Sequence, residues 1–203
     1  LIRRRPPVKP KVVKPTPRNV PGPGEVAPAV FKKVPTSKIA KETFAPEATQ
    51  IISDEGGNRS ETYDDEVVRA DGTIEHIPTG GVGHRLTPEE IKLYPVGTHI
   101  PLDVRQAWLK ADLATAKKDA KALLPPKVPL EVFYITSNMA FNLGKPRLRK
   151  FKGMFKAIKA KDYVRAAAEM EWRDPDNPNR GHTPWFNQTG GRAKRLIARM
   201  RAI

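Results

Sequence analysis

From residue 47 onward, the hydrophobic positions fall into periods that predict successive elements. Ile51 and Ile52 lie on the apolar side of a short helix over 47–54, and Gly56-Gly57 ends it. Val67-Val68 and Ile74 to Ile77 flank Asp71-Gly72, the turn pair of a two-residue hairpin. Residues 79–84 read as a short glycine-rich strand or turn. Thr87-Pro88-Glu89-Glu90 combines an N-cap, a first-turn proline and two acids, so a helix starts there. Val104, Ala107, Trp108, Ala111 and Leu113 recur at helical spacing within a long helix over 102–124, which Pro125-Pro126 stops. The mostly apolar run 132–143 predicts a buried central helix. Two shorter amphipathic helices follow over 151–158 and 163–172, then a loop over 174–179 and a final basic helix over 189–200. A small β-hairpin region followed by a helical bundle places the chain in the α+β class. No internal repeat is visible.

Residues 1–46 carry no such period and change the picture of domain organisation. They hold ten of the 21 prolines, and 11 Lys/Arg against two acids, Glu25 and Glu42, which is +9 of the chain's net +15. That composition reads as an extended, partly polyproline II linker or tether, with the folded domain over 47–203. The start, Leu1-Ile2-Arg3-Arg4-Arg5, runs into prolines instead of an apolar core, so no signal peptide is seen. The first residue is not Met, and the chain reads as processed or as a piece of something longer. No apolar run approaches the roughly 18 residues of a membrane span. The absence of cysteine excludes disulfides, thiolate metal sites and cysteine nucleophiles. His76, His99 and His182 are scattered through turn-like sequence, so neither a metal nor another cofactor is expected. The positive charge predicts a polyanionic partner: nucleic acid, anionic lipid or bacterial wall.

Candidate chemistry gathers around the hairpin. Ser53-Asp54-Glu55-Gly56-Gly57 sets an acid where a helix ends and the chain turns away. Asp64 and Asp65 follow Tyr63, and Thr79 precedes a run of glycines whose bare backbone admits close approach of a polymer. Glycoside hydrolysis needs a carboxylic acid for the leaving oxygen and a second group that handles water. Paired carboxylates beside a hairpin are ordinarily a solvated face, so spacing alone does not assign them this role. Gly81-Val82-Gly83-His84 is no dinucleotide fingerprint, because the six-residue glycine pattern and its βαβ context are missing.

Taken together, Asp54-Glu55-Gly56, Tyr63-Asp64-Asp65 and Thr79-Gly80-Gly81-Val82-Gly83-His84 resemble the phage T4 lysozyme family of muramidases. The segment 137–144, Ser-Asn-Met-Ala-Phe-Asn-Leu-Gly, is similar to that family's buried central helix, and 185–195 to its C-terminal signature. The resemblance implies a lysozyme-like α+β fold, with a small β-hairpin lobe and a mostly helical lobe behind the Pro-rich basic segment. It implies an inverting lysozyme acting on peptidoglycan between N-acetylmuramic acid and N-acetylglucosamine. Glu55 would be the general acid, Asp65 would orient or activate water, and Thr79 would help hold that water. Arg192 would pair with Glu55, and His84 with Asp112 as a structural link. Phe141 and Asn142 would line the glycan cleft. The stretch between Asp65 and Thr79 is longer than in the family's prototype, which keeps Asp64 open as the second carboxylate. Arg85, Met154 and Glu169 depart from the prototype's cleft positions, and 174–184 is an insertion.

Such an enzyme is expected to be phage-encoded, in the virion or in an infected host, with its target in the cell wall. Residues 1–46 offer a tether to phage structural proteins. A non-catalytic virion or wall-binding module on the same fold is the alternative. Nucleic-acid binding ranks below both, since the basic tail lacks interleaved aromatics.

Overall fold

The computed structural model describes residues 45–68 and 72–203. The linker reading falls, as far as residue 44, outside those residues, as does Asp71 of the hairpin turn. The element order is α1 (Ala45–Asp54), β1 (Arg59–Val68), β2 (Ile74–Gly81), β3 (His84–Arg85), α2 (Pro88–Leu93), α3 (Leu102–Leu123), α4 (Leu130–Leu148), α5 (Lys152–Ala160), α6 (Tyr163–Glu171), α7 (Pro184–Thr189) and α8 (Gly191–Arg201). A 3-10 turn, Pro178–Arg180, interrupts the loop before α7.

Local chemistry explains most of these boundaries. After α1, Gly56 and Gly57 take φ of 79° and 100°, and Gly57 N–H closes on Ile52 O at 2.9 Å. That left-handed exit stops the helix just after Glu55, whose own N–H still reaches Ile51 O at 3.0 Å, and only glycine adopts it freely. Thr87 and Glu90 form the reciprocal capping box of α2. Leu124 leaves α3 in an extended conformation, as a residue before proline must.

The three strands form one antiparallel sheet in the order β1-β2-β3. Tyr63 pairs with Thr79, Asp65 with Ile77 and Val68 with Ile74, so a hairpin is present, but residues 69–73 separate its last pair and the register is one residue off that of the expected two-residue Asp71-Gly72 turn. The hairpin starts earlier than the sequence predicts, because β1 begins at Arg59. The segment Arg-Ser-Glu-Thr-Tyr-Asp-Asp-Glu shows no apolar alternation, since neither of its faces meets a large core. Backbone pairing holds it instead: Ile100 N–H reaches Ser60 O at 2.7 Å, and Thr62 N–H reaches Thr98 O at 3.0 Å.

The core lies among the helices. Val132, Ile135 and Met139 on α4 are fully enclosed by residues such as Ala120, Ile158, Met170 and Leu196. A second, smaller cluster of Leu86, Ile100 and Trp108 seals the sheet against α3. Gly80 fits closely there: a Cβ would stand 2.6 Å from Ile100 Cδ1, so that side chain would have to shift. The central helix ends where predicted, at Gly144 (φ 68°, ψ 160°), and a separate short helical turn with Pro146 continues to Leu148. The predicted final helix over 189–200 is α8, and a short helix the pattern does not predict, α7, precedes it. Gly190, at φ 48° and ψ −103°, divides them, and Thr183 caps the first by accepting from Phe186 N–H.

Candidate active site

A cleft of about 590 Å³ separates the sheet from the helical lobe. Glu55 at the end of α1, Asp65 on β1, Gly83 and His84 beside β3, and Phe141 and Asn142 on α4 all line it. Side chains alternate faces along a strand, so Tyr63, Asp65 and Val67 face the cleft together. Asp64 falls on the opposite face, is exposed, and is not among the cleft-lining residues.

Glu55 is held from two sides. Arg192 Nη1 donates to its Oε1 at 2.7 Å, and Gly83 leaves room for its Oε2. A Cβ on Gly83 would lie 2.8 Å from that oxygen. Arg192 also donates through Nε to Asp54 Oδ2 at 3.0 Å. This guanidinium and the Asp54 carboxylate are 6% and 5% exposed, against 20% for Glu55. Asp54 is thus the buried anchor and Glu55 its accessible neighbour. Arg195 closes the other Asp54 oxygen. The network continues inward: Asn138 Nδ2 donates to Glu47 Oε1 at 2.7 Å, and Arg199 Nη2 to Glu47 Oε2 at 2.8 Å.

Thr79 is 2% exposed, and its hydroxyl donates to Ile77 O at 2.8 Å. It does not itself line the cleft. Because it pairs with Tyr63, it shares the cleft-facing side of the sheet and stands diagonal to Asp65. Asn142 is half-buried in the cleft wall, and its Oδ1 has no hydrogen-bond partner among the described residues. Arg59 lies over the Tyr63 ring, 4.1 Å from its centroid. Arg85 is in the cleft lining, whereas Met154 is fully buried in the helical core and Glu169 bonds Arg165 on α6.

The phage lysozyme family pattern matches residues 53–183, from the acid-bearing end of α1 to the residue before α7. The chain belongs to the phage lysozyme family. A search of curated protein sequences finds no match to it. Among solved structures, the muramidase domain of SpmX from Asticaccaulis excentricus is similar at a TM-score of 0.51 and 16% identity, covering 77% of this chain and 97% of that one. At that identity the likeness is one of fold: a small antiparallel sheet set against a helical lobe. As a phage lysozyme family member, the chain has peptidoglycan as its family-level substrate. Among the described residues no helix is long and apolar enough to cross a membrane, and no cluster of three or more His, Asp or Glu is arranged to hold a metal.

His84 lies at the end of the cleft. Its Nδ1 is 2.8 Å from Asp112 Oδ2, its Nε2 is 3.2 Å from Glu90 Oε2, and its ring stacks on Trp108 at 4.5 Å. Burial disfavours the imidazolium, but hydrogen bonds and charge from Asp112 and then Glu90 outweigh that and raise the His84 pKa. The folded state therefore holds this proton more tightly than the unfolded chain does. Its stabilisation is fully present below the ordinary imidazole value of about 6.5 and is lost as pH rises through the raised folded value. Asp112→Asn is expected to lower the thermal midpoint most near about pH 5.5, with the difference from the parent shrinking toward about pH 9. A pH-independent difference across that range would refute the linkage.

Sequence reasoning named Glu55, Asp65, Asp64, Thr79, Phe141, Asn142, Arg192, His84 and Asp112. It missed Asp54, Glu47, Asn138, Arg195 and Arg199, which hold the acid's helix in place. One signal was available: Arg192, Arg195 and Arg199 recur at three and four residues, a cationic stripe along one face of α8.

Proposed function

We propose that this chain is an inverting lysozyme that hydrolyses the β-1,4 bond between N-acetylmuramic acid and N-acetylglucosamine in peptidoglycan. The observation that carries this reading is the placement of Glu55 and Asp65 on two different elements lining one cleft, with Glu55 fixed by Arg192. Arg192 occupies Oε1, so the transferable proton is assigned to Oε2. Glu55 gives that proton to the glycosidic oxygen as the bond to the anomeric carbon breaks. Water adds to that carbon from the opposite face, and Asp65 takes its proton. Solvent exchange then returns both carboxyls to their starting states. Thr79, diagonal to Asp65, is assigned to hold the water once its hydroxyl turns from Ile77 O. Phe141 supports an apolar sugar face, and Asn142 forms part of the wall that holds the glycan.

Zymography on purified peptidoglycan tests the assignment. Asp65→Asn is expected to lose clearing by roughly 10²–10⁴-fold, while Asp64→Asn clears like the parent. The reverse pattern would exchange the two roles. Gly83→Ala tests the positioning of Glu55. At φ of 65° an alanine is strained by roughly 1–2 kcal/mol, and its Cβ drives Oε2 from its place. Hydrolysis should fall on the order of 10²-fold, since misplacing a reacting group by about 1 Å has that cost. Unchanged turnover in a folded Gly83→Ala protein would remove this oxygen from the reaction.

The enzyme is further proposed to be phage-encoded and carried on the virion, tethered through the Pro-rich basic residues 1–46. Mass spectrometry of purified particles tests this, and finding the chain only in host lysate would make it a lysis enzyme instead.

A further inference from the structure

One surface of the helical lobe has a charge pattern that the reaction does not use. Residues 47–203 carry 26 Lys/Arg against 20 Asp/Glu. Eight of those cations and none of the acids fall within 145–161, so the rest of the domain holds 18 cations against 20 acids. The net positive charge of the folded part is thus concentrated in one segment. It comprises the end of α4, the following turn and all of α5, and no acid occurs anywhere between Glu131 and Asp162.

The segment's geometry presents these charges to solvent. Met154, Ala157 and Ile158 pin α5 to the core, and all eight cations are exposed. Among the described residues, only Lys145 of the eight makes an ion pair, at 3.9 Å to Asp119. By contrast Arg165, Arg180, Arg192, Arg195, Arg199 and Arg201 each meet an acid. Nine residues of helix span only about 14 Å, so the unpaired charges repel one another at a distance comparable to the Debye length.

We propose that this patch is a docking surface for peptidoglycan outside the catalytic cleft, and that it binds the carboxylates of stem peptides on the wall polymer. The inference rests on the peptidoglycan reading above. Continuity with the cleft favours this partner, because Pro146 and Arg147 belong both to the cationic segment and to the cleft lining. A polymer seated in the cleft meets the patch where it leaves. Lysine, the commoner cation of the segment, fits such a partner. A flexible point charge tolerates carboxylates at irregular spacing, whereas bidentate recognition calls for arginine. The patch lacks what other polyanions would use. None of the large exposed apolar residues falls within 145–161, so nothing there inserts into a bilayer. Its aromatic residues, Phe151 and Phe155, pack against the core and offer no stacking platform for bases.

The experiment uses the full chain carrying Glu55→Gln, so that the wall is not digested, and measures co-sedimentation with purified sacculi. Adding Lys152→Gln, Lys156→Gln and Lys159→Gln is expected to weaken binding on the order of tenfold at low salt, with the two proteins converging as salt rises. Residues 1–46 are common to both proteins and cancel in the comparison. Carbodiimide amidation of the sacculi caps carboxylates and leaves phosphodiester polymers charged. It should lower both proteins, since residues 1–46 and the remaining cations also meet carboxylates, but lower the parent more, so that the two converge. Thermal unfolding of the triple variant checks its fold. Equal binding of both proteins to native sacculi would overturn the proposal. So would a loss confined to anionic phospholipid vesicles or DNA, or a loss that amidation does not reproduce. If the parent with Glu55 intact fails to hydrolyse sacculi, the lysozyme reading fails. If it hydrolyses them and amidation leaves the difference between the two proteins unchanged, only the docking surface fails.

Discussion

Glu55→Gln is expected to abolish wall clearing, lowering turnover by roughly 10²–10⁴-fold, the contribution of a positioned general acid. The amide keeps the shape of the side chain and an oxygen for Arg192 Nη1, but it has no proton to give to a leaving sugar oxygen. Arg192 stays anchored by Asp54 at 3.0 Å, so the end of α1 should keep its place. The variant should therefore unfold near the parent's thermal midpoint and still bind sacculi. Turbidity clearing, with midpoint and pelleting measured on the same preparation, separates lost chemistry from a lost fold. Clearing at the parental rate would sink the assignment of Glu55.

The largest effect on stability is expected at Arg192. Its guanidinium bridges two carboxylates, Nε to Asp54 and Nη1 to Glu55, in surroundings where both it and Asp54 are nearly inaccessible. Arg192→Ala leaves Glu55 without its partner, leaves Asp54 with Arg195 alone, and opens a void between α1 and α8. Removing one partner of a buried ion pair costs about 3–5 kcal/mol, because the remaining charge stays desolvated. In a domain of this size that lowers the thermal midpoint by roughly 10 °C. Arg192→Lys should recover less than half of the loss, since an ammonium cannot present the planar fork to both carboxylates. A loss below about 0.5 kcal/mol for Arg192→Ala, the ordinary range of a surface substitution, would show that the network contributes little. Activity should fall alongside stability, because the same contact orients Oε1 of Glu55.

The buried network also accounts for an oddity of α4. Its core-facing run includes Thr136, Ser137 and Asn138, polar residues at the most enclosed positions of the chain. Asn138 serves the carboxylates of α1, donating to Glu47 at 2.7 Å and approaching Asp54 Oδ2 at 3.5 Å. Thr136 satisfies itself on Val132 O one turn back. The acid-bearing helix is therefore joined to both α4 and α8 by charge and hydrogen bonds, with Ile51 as its fully buried apolar contact.

Elements whose signals are local were legible from the sequence. The Thr87 capping box, the stop at Pro125-Pro126, the glycine exit after Asp54 and the apolar run of α4 each act within a few residues, so the chain announces them without its partners. The acid at the end of α1 and the family motifs around it were legible for the same reason. Elements that depend on pairing were not. Over most of its length β1 is polar on both faces, one toward the cleft and one toward solvent, and only its backbone bonds to β2 and to residues 97–100 make it a strand. Helix α7 likewise escapes the pattern, since six residues are too few for a helical period to register.

At the site, residue order alone specified which groups have the chemistry: a carboxyl beside two glycines, two adjacent aspartates, and an arginine near the C-terminus. Which of them meet was settled by long-range packing. The two-residue alternation of β1 sends Asp65 into the cleft and Asp64 out of it, and that choice depends on which side of the sheet the helices cover. The pairing of Arg192 with Asp54 and Glu55 joins residues 138 and 137 positions apart, a contact that no local pattern encodes. It exists because α1 and α8 both pack against α4, which brings their charges together where water is excluded.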